Sequence, residues 1–147
     1  MTSLSSVELF DCLHDFLHLF RTKVRAQVEL SYPDLTLNEM RVLMHTGRST
    51  EITQKQLIER SHTDKAQMAR ILAGLEDRGW LERTINPSDR RARCLRLTAE
   101  GTEIFSRLRG LQLQIADQLL SGFPQALQEQ LQEQFRRMAR QSYGHDG

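Results

Sequence analysis

The chain has 147 residues, 39% hydrophobic and 27% charged, and its 20 Lys and Arg nearly balance 19 Asp and Glu for a formal net charge of +1. That length allows one domain with a real core and leaves too little for a second, and no apolar run of about eighteen residues is present to form a membrane-spanning helix. The opening MTSLSSVELFD lacks the basic-then-apolar order of a secretory signal, and the two cysteines, Cys12 and Cys94, show neither disulfide-framework nor metal-ligand spacing. A soluble, cytoplasmic protein with free thiols is expected.

Leu9, Leu13, Phe16, Leu17, Phe20, Val24 and Val28 make one apolar face and predict a long first helix, stopped at the Tyr32-Pro33-Asp34 turn. Thr36 and Glu39 form a capping box that opens a second helix, with Met40, Leu43 and Met44 on its buried side. Thr53 caps a third helix whose Leu57 and Ile58 point inward. Across Ser61-His62-Thr63 it leads into a fourth, the arrangement of a helix-turn-helix.

The fourth helix is the most informative. Thr63 or Asp64 caps its start, Met68, Ile71, Leu72 and Leu75 form its apolar stripe, and Gly79 supplies the left-handed stop with Arg78 at the negative end. Opposite the stripe lie Ala66, Ala69, Arg70, Ala73 and Gly74, flanked by Lys65 and Gln67. Short side chains suit close approach to a major groove about 12 Å wide, with Lys65, Gln67 and Arg70 able to reach base edges or phosphates. An alanine-rich surface helix would look the same in isolation.

The segment Trp80 to Thr98 decides between them. Leu81, Arg83 and Ile85 alternate with Glu82 and Thr84, then Leu95 and Leu97 with Cys94 and Arg96, which predicts two paired strands around the turn formers Asn86, Pro87, Ser88 and Asp89. This hairpin concentrates Arg83, Arg90, Arg91, Arg93 and Arg96 against only Glu82 and Asp89. Such local charge points to a polyanion. An arginine at the tip can enter a narrow A·T-rich minor groove, with Asp89 placed to orient it. Cys94 is expected on the outer side of its strand, in a structural or incidental role.

Thr98 and Glu100 start a fifth helix with Ile104, Leu108, Leu111, Ile115 and Leu119 on one face, ending near Gly122. Pro124 opens a sixth, with Leu127, Leu131, Phe135 and Met138 opposite a face of Gln and Glu. The class is therefore mainly α with a small β-hairpin wing. Apolar helices at both ends of a compact reader suit a homodimer, whose two readers would face adjacent major grooves with half-sites about one helical turn, roughly 34 Å, apart.

Catalytic signatures are lacking: there is no Gly-rich phosphate loop, no His-Glu-Xaa-Xaa-His and no nucleophile elbow, so no enzyme, metal or cofactor is expected. His14 and His18, one turn apart, would need a third ligand from elsewhere to bind zinc, and His45 and His62 are too loosely placed to supply it; capping or solvated histidines are expected. A winged helix used for protein contacts is the rival class, and salt separates the two, because phosphate binding by Arg and Lys weakens steeply with added salt.

LTLNEMRVL at Leu35 to Leu43, RILAGLEDRGWLER at Arg70 to Arg83 and NPSDRRARCLRLTAEG at Asn86 to Gly101 resemble the MarR (multiple antibiotic resistance regulator) transcription factors, and the likeness spans nearly the whole chain. It implies a single MarR-type domain over residues 1–147, with 1–34 and 99–147 as the helical dimerisation region and 35–98 as the winged helix-turn-helix. It also implies a dimeric repressor of a pseudo-palindromic double-stranded operator. By the resemblance, recognition-helix contacts fall to Lys65, Ala66, Gln67 and Arg70. The wing contacts fall to Asp89 and Arg91, with Arg90 and Arg93 beside them. Ala66 and Ala69 stand where relatives often carry Ser or Thr, which shifts specificity toward the wing and DNA shape.

The resemblance implies two routes of release. One is a small aromatic or phenolic ligand in a cleft between dimer body and reader. The other is oxidation of Cys12, whose position in the first helix is similar to that of the reactive cysteine in the family's organic hydroperoxide sensors. The tyrosines that support that cysteine are replaced here by Ala26 and Leu37, and Phe16 offers no hydroxyl.

Overall fold

The computed structural model describes residues 5–85 and 93–143. In chain order they form α1 (Ser6–Ser31), α2 (Leu37–Gly47), β1 (Ile52–Thr53), α3 (Gln54–Ser61), α4 (Lys65–Asp77), β2 (Leu81–Ile85), β3 (Arg93–Leu97), α5 (Ala99–Leu119) and α6 (Gln125–Tyr143).

Side-chain caps set most of the helix starts, satisfying N–H groups that have no intrahelical acceptor. Ser5 with Glu8, Thr36 with Glu39 and Thr53 with Gln56 each form a reciprocal capping box. Asp64, rather than Thr63, caps α4, accepting from the Gln67 N–H at 2.7 Å. Thr63 instead lies 2.8 Å from the Ser61 hydroxyl within the turn. His62 closes α3 in the left-handed region (φ 54°). Gly79 does so after α4 (φ 75°), a position that glycine adopts without strain.

The core gathers Val42, Leu43, Ile52, Leu57, Met68, Leu72, Leu75, Leu95 and Leu108 around the junction of α2, α3, α4 and the sheet. The α4 stripe is buried as the periodicity predicts, as are Ile104, Leu108 and Ile115 of α5. Thr98 stitches the start of α5 to the end of α4: its hydroxyl donates to the Gly79 carbonyl at 2.6 Å and accepts from the Gly101 N–H at 3.0 Å. At Gly101 a Cβ would lie 2.0 Å from the Trp80 carbonyl oxygen, so only glycine permits this approach.

The wing departs from the expected two-stranded hairpin. β1 joins it, giving an antiparallel sheet of order β1-β3-β2 in which Ile52 faces Leu95 and Thr53 faces Cys94. A two-residue strand is too short to display an alternating pattern in sequence. Cys94, paired laterally with Thr53 of β1 and Thr84 of β2, is buried at 2% exposure rather than lying on the outside. The alternation expected along β2 also fails: Leu81 sits in the core while Ile85, toward the wing tip, is 74% exposed, because the ribbon leaves the body that would cover it.

The two end helices are only partly used within the chain. On α1, Val24 and Val28 are buried and Phe20 packs against the core, but Leu9, Phe16 and Leu17 stay exposed. Phe16 stacks on Phe123 of the α5–α6 turn, with ring centroids 6.1 Å apart. The α6 stripe of Leu127, Leu131, Phe135 and Met138 is exposed along its length. No helix among the described residues is long and apolar enough to cross a membrane.

Candidate nucleic-acid interface

α4 presents Lys65, Ala66, Ala69, Arg70 and Ala73 to solvent while its opposite stripe is locked in the core. Gln67 is half-buried, and its backbone is held by the Asp64 cap. Gly74 does not share the outer face: it turns toward α2, where a Cβ would sit 3.4 Å from Glu39 Oε2. The exposed surface therefore sets three alanines among two cations, a shape that brings the helix backbone near whatever it docks against.

Three arginines fix this helix and the wing in place. Arg78, at the C-terminal cap of α4, donates to the Asp34 carbonyl at 2.7 Å, lies 3.4 Å from Glu39 and stacks over Trp80 at 5.0 Å. Arg83 on β2 donates to Glu76 of α4 at 2.8 Å and to Gln54 of α3 at 3.3 Å. Arg96 on β3 pairs across the ribbon with Glu82. The wing's charge count is thus reduced: Arg83 and Arg96 are engaged by carboxylates and brace the sheet instead of facing a polyanion. Sequence spacing could not show this for Arg83, because Glu76 belongs to the preceding helix and Gln54 lies 29 residues away.

Among the described residues, Lys65, Arg70 and Arg93 reach no carboxylate within ion-pair distance. Arg93 is exposed at the start of β3, in register with Ile85. Asp89, Arg90 and Arg91 lie outside the described residues. Cys12 is exposed on α1, far in sequence from the reader. Cys94 is a poor nucleophile, because burial and the adjacent Glu51 carboxylate push its thiol up from the usual value.

Residues 34–92 match the family model described as MarR family. The transcriptional regulator HosA of Escherichia coli O111:H- is 34% identical over 128 residues, which cover 86% of this chain and 90% of that protein. The chain belongs to the MarR family. It is accordingly a DNA-binding transcriptional regulator of winged-helix fold, and its relatives are regulators rather than enzymes. A crystal structure of MarR is similar at a TM-score of 0.66 and 28% identity, covering 92% of this chain and 97% of that one. The fold is also that of the transcriptional regulator PA3341, with a TM-score of 0.77 at 22% identity over 93% of this chain and 99% of that one.

Proposed function

We propose that this MarR-family regulator acts as a homodimeric repressor that lays α4 of each subunit into adjacent major grooves of a pseudo-palindromic operator. The observation that carries the reading is the exposed alanine face of α4 between Lys65 and Arg70, on a helix whose other side is fixed in the core. Lys65, Ala66, Gln67 and Arg70 meet base edges and phosphates, while Asp89, Arg90, Arg91 and Arg93 of the wing address the neighbouring minor groove. Residues 35–98 are the reader; 1–34 and 99–147 form the dimer body, which the exposed apolar residues of α1 and α6 support.

Release follows entry of a small aromatic or phenolic ligand between body and reader. Favouring this is a hollow of about 450 Å³ at that junction, lined by Arg25, Glu29, Pro33, Asp34, Leu35, Thr36 and Leu37. Pro33, Leu35 and Leu37 supply apolar carbon beside Asp34 and the Arg25–Glu29 ion pair, a lining whose carboxylates can accept from a phenolic hydroxyl. A second reading, release by oxidation, is favoured by the exposure of Cys12.

The test is binding of purified protein to its own upstream intergenic DNA, with and without an organic hydroperoxide and a panel of aromatic acids, repeated with Cys12→Ser. Release by an aromatic acid in both proteins supports the ligand route. Release by hydroperoxide in the wild type alone assigns the switch to Cys12. Absence of sequence-specific binding in all samples overturns the reading.

A further inference from the structure

Beyond the face of α4 and the wing, a second concentration of positive charge lies on the reader. Arg41 and His45 stand one turn apart on α2, and Arg48, the αR residue that caps its C-terminus, continues the same face at i+7. Arg60, in the last turn of α3, is brought to the same place: its Nη1 donates to the Ser49 hydroxyl at 3.4 Å, and that hydroxyl donates to the His45 carbonyl at 3.1 Å. None of Arg41, Arg48 and Arg60 reaches a carboxylate within ion-pair distance among the described residues, whereas Arg25, Arg78, Arg83, Arg96, Arg107 and Arg140 all do. Of the acids nearest in sequence, Glu39 turns to Arg78, Glu51 sits by Cys94, and Glu59, exposed next to Arg60 on α3, forms no ion pair among the described residues. The field at His45 is correspondingly positive, since burial and then Arg48, Arg60 and Arg41 all lower its pKa.

We propose that Arg41, His45, Arg48 and Arg60 form a cationic track that binds the phosphates of DNA flanking each half-site. The proposal rests on α4 as the groove helix. α3 is then the supporting helix, which crosses the sugar-phosphate backbone. Arg60 stands on that helix, separated from Lys65 by the short turn into α4. The α2 face carries the charge onward: Arg41 to Arg48 spans about 10 Å at 1.5 Å per residue, enough for the two arginines to address separate phosphates of one strand. Guanidinium groups match phosphate oxygens in pairs, which favours nucleic acid over a diffuse acidic surface. The track carries no sequence information; it adds affinity and fixes the angle at which α4 enters the groove.

The experiment compares wild type, Arg41→Gln/Arg48→Gln/Arg60→Gln and the corresponding triple Lys variant on two duplexes, reading affinity by fluorescence anisotropy across a salt series. One duplex is selected by the wild type from a random library and trimmed at the outer edges of its half-sites; the other extends it by about one helical turn on each side, roughly 34 Å. On the extended duplex the wild type should show the steeper slope of log affinity against log salt. The Gln triple should lose that excess, by about 0.9 for each phosphate contact removed, and the Lys triple should restore most of it. Equal slopes for wild type and Gln triple on the extended duplex overturn the track and leave an acidic protein surface as its partner. Lys65→Ala/Gln67→Ala/Arg70→Ala separates the underlying reading: if that variant keeps full sequence discrimination, α4 is not the reader, whatever the slopes show. If no sequence is selected, α4 as reader fails, and the slopes are read on random duplexes of both lengths.

Discussion

Arg83 on β2 donates to Glu76 on α4 at 2.8 Å, and its other arm reaches Gln54 at the start of α3. One guanidinium therefore sets the wing against both helices of the helix-turn-helix. Each partner is about a third exposed, so the pair contributes no more than about 1 kcal/mol to stability. Its effect is on orientation. Arg83→Ala is expected to change unfolding free energy by less than that amount while weakening DNA binding about tenfold, equivalent to about 1.4 kcal/mol. Denaturation and DNA titration on the same variant check this, and unchanged DNA affinity would show that the wing is held by its backbone alone.

Gly101 tests the packing of α5 on the end of α4. A methyl group there meets the Trp80 carbonyl at 2.0 Å, and this neighbour is backbone, which cannot rotate away. Gly101→Ala should destabilise by about 1 to 3 kcal/mol or more, the cost of overpacking a rigid site, whereas Gly110→Ala, with open space around it, should gain a few tenths to about 1 kcal/mol from helix propensity. Equal melting temperatures for the two variants would refute the close approach.

Much of this arrangement is legible in the sequence because it is local. The stripe Met68, Ile71, Leu72 and Leu75 and the capping pair Thr36 and Glu39 declare helices through spacing alone, and both appear as read. What escapes is what long-range pairing decides. β1 is two residues long and exists only because β3 offers it an edge. Cys94 lies in the core between Thr53 and Thr84, a placement its own strand's alternation does not show. Gly74 fits the outer-face spacing of α4, yet Glu39 of another helix claims that side. Arg83 and Arg96 read as free charge until their carboxylates are seen. The stripes of α1 and α6 are plain in the sequence, but one chain alone leaves much of them uncovered.

Those stripes give a third prediction. If α6 completes a dimer, Leu131→Glu with Phe135→Glu places charge in the interface, and an unpaired charge buried there costs several kcal/mol. Both residues are exposed in the single chain, at 36% and 50%, so the monomer fold itself should survive. Sedimentation should show a shift from dimer to monomer at micromolar concentration with helical content retained. An unaltered dimer would move the interface off α6.

The two thiols should separate cleanly. Cys94 is 2% exposed, and burial together with the neighbouring Glu51 holds it protonated; Cys12 is exposed. Alkylation of native protein followed by intact-mass measurement should give a single adduct at Cys12, with the second appearing only on unfolding. Rapid native modification of Cys94 would mean that β1 does not stay paired to β3.

His45 supplies a pH dependence with a definite sign. Burial, then Arg48, Arg60 and Arg41, lower its pKa in the folded chain from the ordinary 6.5. Above 6.5 both folded and unfolded chains hold it neutral, and it has no effect. As the pH falls below 6.5 the unfolded chain takes up the proton first, so the unfolded state binds more protons and folding stability declines. The decline stops once the pH passes the lower, folded value and both states are protonated. His45→Gln removes this contribution, so urea unfolding of wild type and variant should run parallel above pH 7, with the wild type losing relative stability below 6.5. Curves that stay parallel down to pH 5 would show that the arginines do not surround His45. DNA should oppose the effect: phosphates on Arg41, Arg48 and Arg60 offset the arginine field that, after burial, disfavours protonation, so binding should draw protons onto His45 below pH 6.5, measurable as proton uptake by titration calorimetry in buffers of different ionisation enthalpy.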